Sequence, residues 1–134
     1  MSAYTPNYRP EVGQTLFISF MHEAPFLATV NGFHRDPRFP QDQIEFTVAK
    51  PGKAHSSSIG SYRFYPNAPI DSKYCYCVVV TSGNDREQFE TVEEYFLDPQ
   101  SAFEFKARLE AGEAKSRCEF YAKNDPIRVE VELL

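Results

Sequence analysis

The sequence predicts an α+β fold, a small β-barrel or strongly bent sheet of mostly antiparallel strands with one main helix. Short runs rich in Phe, Tyr and β-branched residues recur along the chain, which holds 12 Phe and 8 Tyr, and these residue types favour strands. The runs follow one another across turn residues instead of alternating with helices, which favours antiparallel pairing. We expect a chain of this length to form a single domain, residues 1–134.

The first third of the chain predicts an arm and two strands. Two prolines interrupt residues 1–11, so we expect an extended N-terminal arm there. Apolar and polar residues alternate along 14–20, which predicts a strand with one apolar face. Residues 26–33 can return as the second strand of a hairpin, with Gly32 indicating a bulge near its end.

Two strands and two loops are predicted next. Residues 34–42 combine two prolines with four charges and are expected to form a loop. Residues 51–60 are small and polar, so we expect an exposed loop there as well. Residues 43–50 alternate cleanly and residues 61–65 are short and aromatic, and both are predicted to be strands.

Residues 74–81 are predicted to be the central strand. This is the longest run of β-branched, aromatic and other apolar residues, and no charge interrupts it between Lys73 and Asp85. A strand that is apolar on both faces is best satisfied inside a sheet, covered on each side. Its thiols and rings are then expected to fill the core.

The main helix is predicted over about 99–111. Asp98 can cap its first turn, Pro99 suits the first helical position, and Gly112 falls where helices commonly end.

The elements around this helix are expected to be strands. Residues 87–97 have some helical spacing, but they would also serve as the return strand after the central one, and we expect the strand. Residues 118–123 and 127–134 are predicted to form a C-terminal β-hairpin.

The net charge of −5 is concentrated in the second half of the chain. Residues 1–67 hold six Lys and Arg against five Asp and Glu, whereas residues 68–134 hold eight against fourteen. An acidic surface repels nucleic acid and favours basic partners, although a solvated face that maintains solubility is the simpler alternative. The predicted partner-binding residues are Asp85, Glu87, Glu90, Glu93, Glu94, Arg35, Arg38 and Phe39.

Three of these residues lie in the loop 34–42 and raise the question of nucleic acid. Arg35, Arg38 and Phe39 combine cations with an aromatic ring, the ingredients of single-strand binding. Two arginines on an acidic protein are weak evidence, so direct nucleic-acid binding is not predicted.

No catalytic residue, metal ligand or cofactor is predicted. Cys75 and Cys77 could approach one metal ion together with Cys118, but structural zinc sites usually take two ligands from a tight turn. Free cysteines are also commonly buried. Glu130 and Glu132 are expected on an open face, where paired carboxylates do no acid–base work.

The sequence predicts a cytoplasmic protein with no membrane partner. The N-terminus lacks the pattern of a signal peptide, and no apolar stretch approaches the length of a membrane span. Three cysteines, an odd number, fit a reducing compartment. The oligomeric state is left open.

Residues 12–17 (VGQTLF) and 28–30 (ATV) resemble the start of small phage and plasmid accessory proteins. In those proteins a GQTL-type strand opens an SH3-like barrel. The resemblance covers about the first third of the chain. It implies an origin in a mobile element and a non-enzymatic role, and it assigns no functional residue.

Together these observations predict a non-enzymatic protein-binding module. An anti-CRISPR-like or charge-mimicking phage inhibitor of a host or defence protein with a basic surface is the form we consider first. Two alternatives stay open: a small ligand-binding or catalytic barrel with a site near loops 34–42 and 62–69, and a virion or structural assembly component.

Overall fold

The computed structural model describes residues 4–49, 52–83, 87–118, 121–122 and 125–134. This part of the chain is α+β, with eight strands in two antiparallel sheets and one α-helix. The chain divides into two compact units, Ser2–Ser72 and Lys73–Leu134, called the first and second unit below. The predicted α+β class and antiparallel pairing are confirmed, and the single domain over 1–134 stays a prediction.

The first unit is a five-stranded sheet in the order β4-β3-β2-β1-β5. A short 3-10 turn, Ile59–Ser61, leads into the last strand. The strands are β1 (Thr15–Phe20), β2 (Phe26–His34), β3 (Gln43–Val48), β4 (Ala54–Ser58) and β5 (Tyr62–Tyr65).

Period-two alternation places one face of this sheet in a core. Leu16 and Ile18 point inward from β1 and are fully buried, as the apolar face of the predicted strand requires. The buried cluster is Leu16, Ile18, Ala28, Val30, Ile44, Phe46 and Phe64. The register between β2 and β3 shifts between Val30 and Gly32, which confirms the predicted bulge.

The exposed loop predicted over 51–60 is wrong for most of its length. Ala54–Ser58 is β4, an edge strand that pairs with β3. The Ser58 hydroxyl donates to Oε1 of Gln41 at 2.9 Å, and the same oxygen accepts the Gly60 amide at 2.9 Å. Small polar residues form a strand here because the backbone of β3 offers them a ladder, which composition does not record.

The second unit is a three-stranded sheet in the order β7-β6-β8, with contacts from the helix to all three strands. Its elements are β6 (Tyr74–Gly83), β7 (Gln88–Phe96), α1 (Pro99–Glu110) and β8 (Ile127–Leu133). The predicted central strand is confirmed, because β6 lies between its two neighbours. Its first residue is an exception, since Tyr74 is 50% exposed while Cys75 and the run 77–80 are buried.

The helix has the ends that the sequence predicts. The Ser101 amide donates to the Asp98 carboxylate at 2.6 Å, and Pro99 occupies the first helical position. At the other end Gly112 has φ +76°, and the Glu113 amide donates back to the carbonyl of Arg108 at 2.8 Å. This pattern is the Schellman motif, which needs a left-handed residue at the glycine position.

One finer expectation differs from the structure, and another is not confirmed. β8 pairs with β6, and the described residues Cys118, Tyr121 and Ala122 are not in a strand, so the C-terminal hairpin is wrong for the described residues. Residues 119–120 and 123–124 lie outside them. Within the described ranges no closed barrel is found, and the barrel or SH3-like form of the fold stays a prediction.

Candidate functional site

The predicted acidic stretch 85–94 lies mainly on β7 and does not form one continuous acidic surface. Glu87 and Glu90 are exposed, and the Glu90 carboxylate lies 3.0 Å from the guanidinium of Arg128 on β8. Glu94 is half-buried. Asp85 lies outside the described residues.

Glu93 points inward, with only 4% of its surface exposed. Its carboxylate accepts hydrogen bonds from the Ser116 hydroxyl and from the Arg117 amide, the latter at 2.8 Å. The Ser116 oxygen in turn accepts the Cys118 amide at 3.0 Å. One buried carboxylate therefore organises the segment that follows the helix.

A β-bulge explains why the side chain of Glu93 points inward, unlike those of the neighbouring acidic residues. Val78 pairs with Glu94 and Val79 pairs with Val92, so Glu93 is the extra residue of β7. A bulge locally turns the strand and re-aims the side chain of the inserted residue. Charge counting along the sequence cannot detect this change.

The cations of the loop before β3 are largely neutralised by their own neighbours. Arg38 forms a two-pronged pair with Asp36, whose pKa this hydrogen bonding lowers below its ordinary value. Arg35 lies 3.9 Å from Asp42. Phe39 is 44% exposed, and the guanidinium of Arg38 lies 5.8 Å from the centre of its ring.

Buried thiols on β6 lie beside carboxylates of β8. The Sγ atoms of Cys75 and Cys77 are each 4.0 Å from a carboxylate oxygen, of Glu132 and Glu130 respectively. Burial, with a smaller contribution from Glu132, raises the pKa of Cys75 to about 11. Burial and both carboxylates raise the pKa of Cys77 to about 12, so both thiols stay protonated at neutral pH.

An exposed apolar patch lies where β6 begins and β8 ends. Tyr74, Val131 and Leu133 are 50%, 61% and 76% exposed. Leu133 pairs directly with Tyr74, and Val131 pairs with Tyr76 on the same face. We call Tyr74, Val131 and Leu133 the terminal patch.

A second feature is a pocket of about 430 Å³ in the first unit. We call it the aromatic pocket, because five rings and one carboxylate line it. They come from all five strands and from the turn between β1 and β2. These residues are Phe20, Glu23, Phe26, Phe46, His55 and Tyr62, and the apolar side chain of Val48 completes the lining.

The other clefts present fewer groups that could bind a ligand. One of about 610 Å³ follows the helix and is lined by Lys115, Ser116, Arg117, Cys118 and Tyr121. The backbone amides of Arg117 and Cys118 are already used by Glu93 and Ser116. Among the described residues no group of three or more His, Cys, Asp or Glu is arranged to hold a metal ion, and no helix has the length and apolarity needed to cross a membrane.

Comparison with known proteins adds no relative. No protein-family model, no curated protein and no solved structure matches this chain. The candidate sites therefore depend on the geometry described above. The sequence did not predict the terminal patch, because its residues alternate with polar ones in the same way as a buried face does. It did not predict the aromatic pocket either, because the rings are scattered from residue 20 to residue 62.

Proposed function

We propose that this chain is a non-enzymatic protein-binding module that docks through the terminal patch. The observation that supports the proposal is three large apolar side chains that are contiguous across two strands and exposed to solvent. A cluster of this kind on a small protein is typical of an interaction surface. Tyrosine is also among the residues that most often dominate the binding energy of an interface.

The charge of the second unit supports a basic partner. Residues 73–134 hold eight Lys and Arg and thirteen Asp and Glu, a balance of −5. Glu132 lies between Val131 and Leu133 in sequence but on the opposite face of β8, beside Cys75, so the attraction comes from the net charge of the unit. A net negative charge steers a positively charged partner toward the unit and raises its rate of association. Inhibition of a host or defence protein by charge mimicry is one form that this activity takes.

We also infer that the first unit is an SH3-like bent sheet. Three observations support this: the strand order β4-β3-β2-β1-β5, the bulge in β2, and the 3-10 turn between β4 and β5. Folds of this size commonly serve as binding modules, but the fold itself identifies no partner.

Site-specific photo-crosslinking tests the docking surface. A benzophenone amino acid placed at Val131 is expected to give discrete crosslinked products in a bacterial lysate at low salt. The products are expected to be basic proteins and to decrease at high salt, because exposed charge pairs are screened. The matched control is the same probe at Val12, an equally exposed valine (64%) in the first unit.

Competition makes the test specific. An excess of the unmodified protein is expected to abolish the crosslinks, whereas the Leu133→Glu variant is expected to compete at least about tenfold less well, since it places a charge in the centre of an apolar contact. Equal labelling from Val131 and Val12, or equal competition by the variant, contradicts the proposal.

A further inference from the structure

The aromatic pocket is a firmly supported concave site. Phe46 forms its floor, and its ring meets Tyr62 edge-to-face at 5.1 Å and packs against Phe26 at 5.7 Å. Phe26 and Tyr62 also pack against the buried cluster of the first unit. The rings are thus held by the core before any ligand arrives, which reduces the entropy lost on binding.

The remaining walls complete a cage. Phe20 lies 5.8 Å from Tyr62 in an edge-to-face arrangement, and the imidazole of His55 stacks on Phe46 at 5.9 Å. The Tyr62 hydroxyl is hydrogen-bonded with Ser57, and burial raises its pKa, so this wall remains a neutral phenol. Phe20 is 39% exposed, which leaves the cage open on its side.

The electrostatics of the aromatic pocket select a cation. The faces of aromatic rings carry the negative part of a quadrupole, and the exposed Glu23 adds a full negative charge from the turn between β1 and β2. Among the described lining residues there is no lysine or arginine. An anionic ligand is therefore repelled, and a neutral apolar ligand makes no use of the carboxylate.

From these observations we infer that the aromatic pocket binds an N-methylated ammonium group, such as the head of trimethyl-lysine or of a free quaternary amine. Attraction of such cations to several ring faces is an established mode of recognition. An unmethylated ammonium fits less well, because it is strongly hydrated and brings three donors to walls that are mostly carbon. Methyl groups remove those donors and present C–H groups to the rings.

This inference goes beyond the proposed docking surface, because every residue that it uses lies in the first unit. It also differs from the site near loops 34–42 and 62–69 that the sequence suggests. Only Tyr62 is shared with those loops. The other lining residues come from the strand ends around the β1–β2 turn, from β3 and from β4.

The experiment titrates four probes into the full-length protein and follows the amide resonances of Glu23 and His55 by NMR. The probes are Nα-acetyl-trimethyl-lysine methylamide, its unmethylated counterpart, the neutral tert-butyl analogue in which carbon replaces the ammonium nitrogen, and choline. We expect the trimethylated probe to bind about tenfold more tightly than the neutral analogue. Tighter binding of trimethyl-lysine than of choline assigns the ligand to a modified protein, and the reverse order assigns it to a free amine.

Two variants localise the binding. Phe20→Ala removes one exposed ring wall and is expected to weaken binding about fivefold or more. Glu23→Gln keeps the shape, removes the charge, and is expected to weaken binding about threefold at low salt. The matched controls are Phe39→Ala and Glu11→Gln, an exposed ring and an exposed acid outside the pocket, and neither is expected to change the affinity.

Two results overturn the inference. One is equal affinity for the charged probe and its neutral tert-butyl analogue, which reveals a merely apolar pocket. The other is the absence of any shift at Glu23 and His55 with all quaternary probes. If Phe20→Ala fails to fold, as judged by circular dichroism, the charge-only variant Glu23→Gln and the comparison of probes still decide the question.

Discussion

The buried carboxylate of Glu93 makes a quantitative prediction about the second unit. Glu93→Ala removes the acceptor of two hydrogen bonds, from the Ser116 hydroxyl and from the Arg117 amide. A hydrogen bond to a charged group contributes about 1.5–3 kcal/mol. Because Arg117 is exposed and water can replace its partner, we expect the lower end of that range, a total loss of about 2–4 kcal/mol in the free energy of unfolding.

Urea unfolding followed by tyrosine fluorescence measures this loss, since the chain holds 8 Tyr and no Trp. A loss of this size is a large fraction of the roughly 5–15 kcal/mol typical of folded domains. Glu93→Gln keeps one acceptor oxygen and is expected to lose only about 1 kcal/mol. Glu113→Ala is the charge-matched control, because Glu113 lies exposed just after the helix, and we expect a change within about 0.5 kcal/mol.

Hydrogen exchange separates a local effect from a global one. The amides of Arg117 and Cys118 are both bonded within this network, so they are expected to lose protection in Glu93→Ala even under strongly native conditions. Wild-type stability together with unchanged protection of these two amides refutes the assignment of Glu93 as the residue that holds the segment.

Other predictions concern the thiols and two glycines. At pH 8 iodoacetamide is expected to alkylate Cys118 but not Cys75 or Cys77, because burial suppresses the thiolate forms of the latter two. Peptide mass spectrometry measures the labelling, and equal labelling of all three cysteines contradicts the prediction. The pKa values of these two thiols in the folded protein exceed the ordinary value of 9.0, so the thiols of the unfolded chain ionise at lower pH than those of the folded chain. The stability of the second unit is therefore expected to fall as pH rises from about 9 toward 11–12. A Cβ has room at both Gly112 and Gly32, but only Gly112 has a left-handed φ. Thermal unfolding is therefore expected to show a loss of about 1–2 kcal/mol for Gly112→Ala and none for Gly32→Ala.

The sequence was sufficient to predict those elements whose structure depends on only a few neighbouring residues. Asp98, Pro99 and Gly112 fixed the helix because caps and turn residues act through the adjacent backbone. The run 74–81 identified the middle strand because burial on both faces needs an uninterrupted apolar sequence. Composition failed at β4, whose hydrogen bonds come from β3 and not from its own residues.

The terminal strand shows why pairing partners are harder to predict than strands. The alternation in IRVEVELL predicted a strand correctly, but the structure pairs it with β6, and the described residues of the segment just before it are not in a strand. The same alternation placed Glu130 and Glu132 on the open face, yet Val131 and Leu133 on the other face are the most exposed apolar residues of the strand. Alternation defines two faces and does not say which face, or which part of it, another element covers.

The acidic stretch extends this argument from structure to function. Counting along the sequence makes Glu90, Glu93 and Glu94 equivalent, but one is paired with Arg128, one is buried by a bulge, and one is half-exposed. A partner meets the charge that folding leaves uncompensated, not the charge that the sequence contains. We propose the terminal patch and the aromatic pocket as the binding surfaces. The aromatic pocket combines its rings with the exposed carboxylate of Glu23, whereas the terminal patch depends on its apolar side chains and on the net charge of the second unit. Both proposals therefore name a positively charged ligand, and they depend on different side chains and have separable experimental tests.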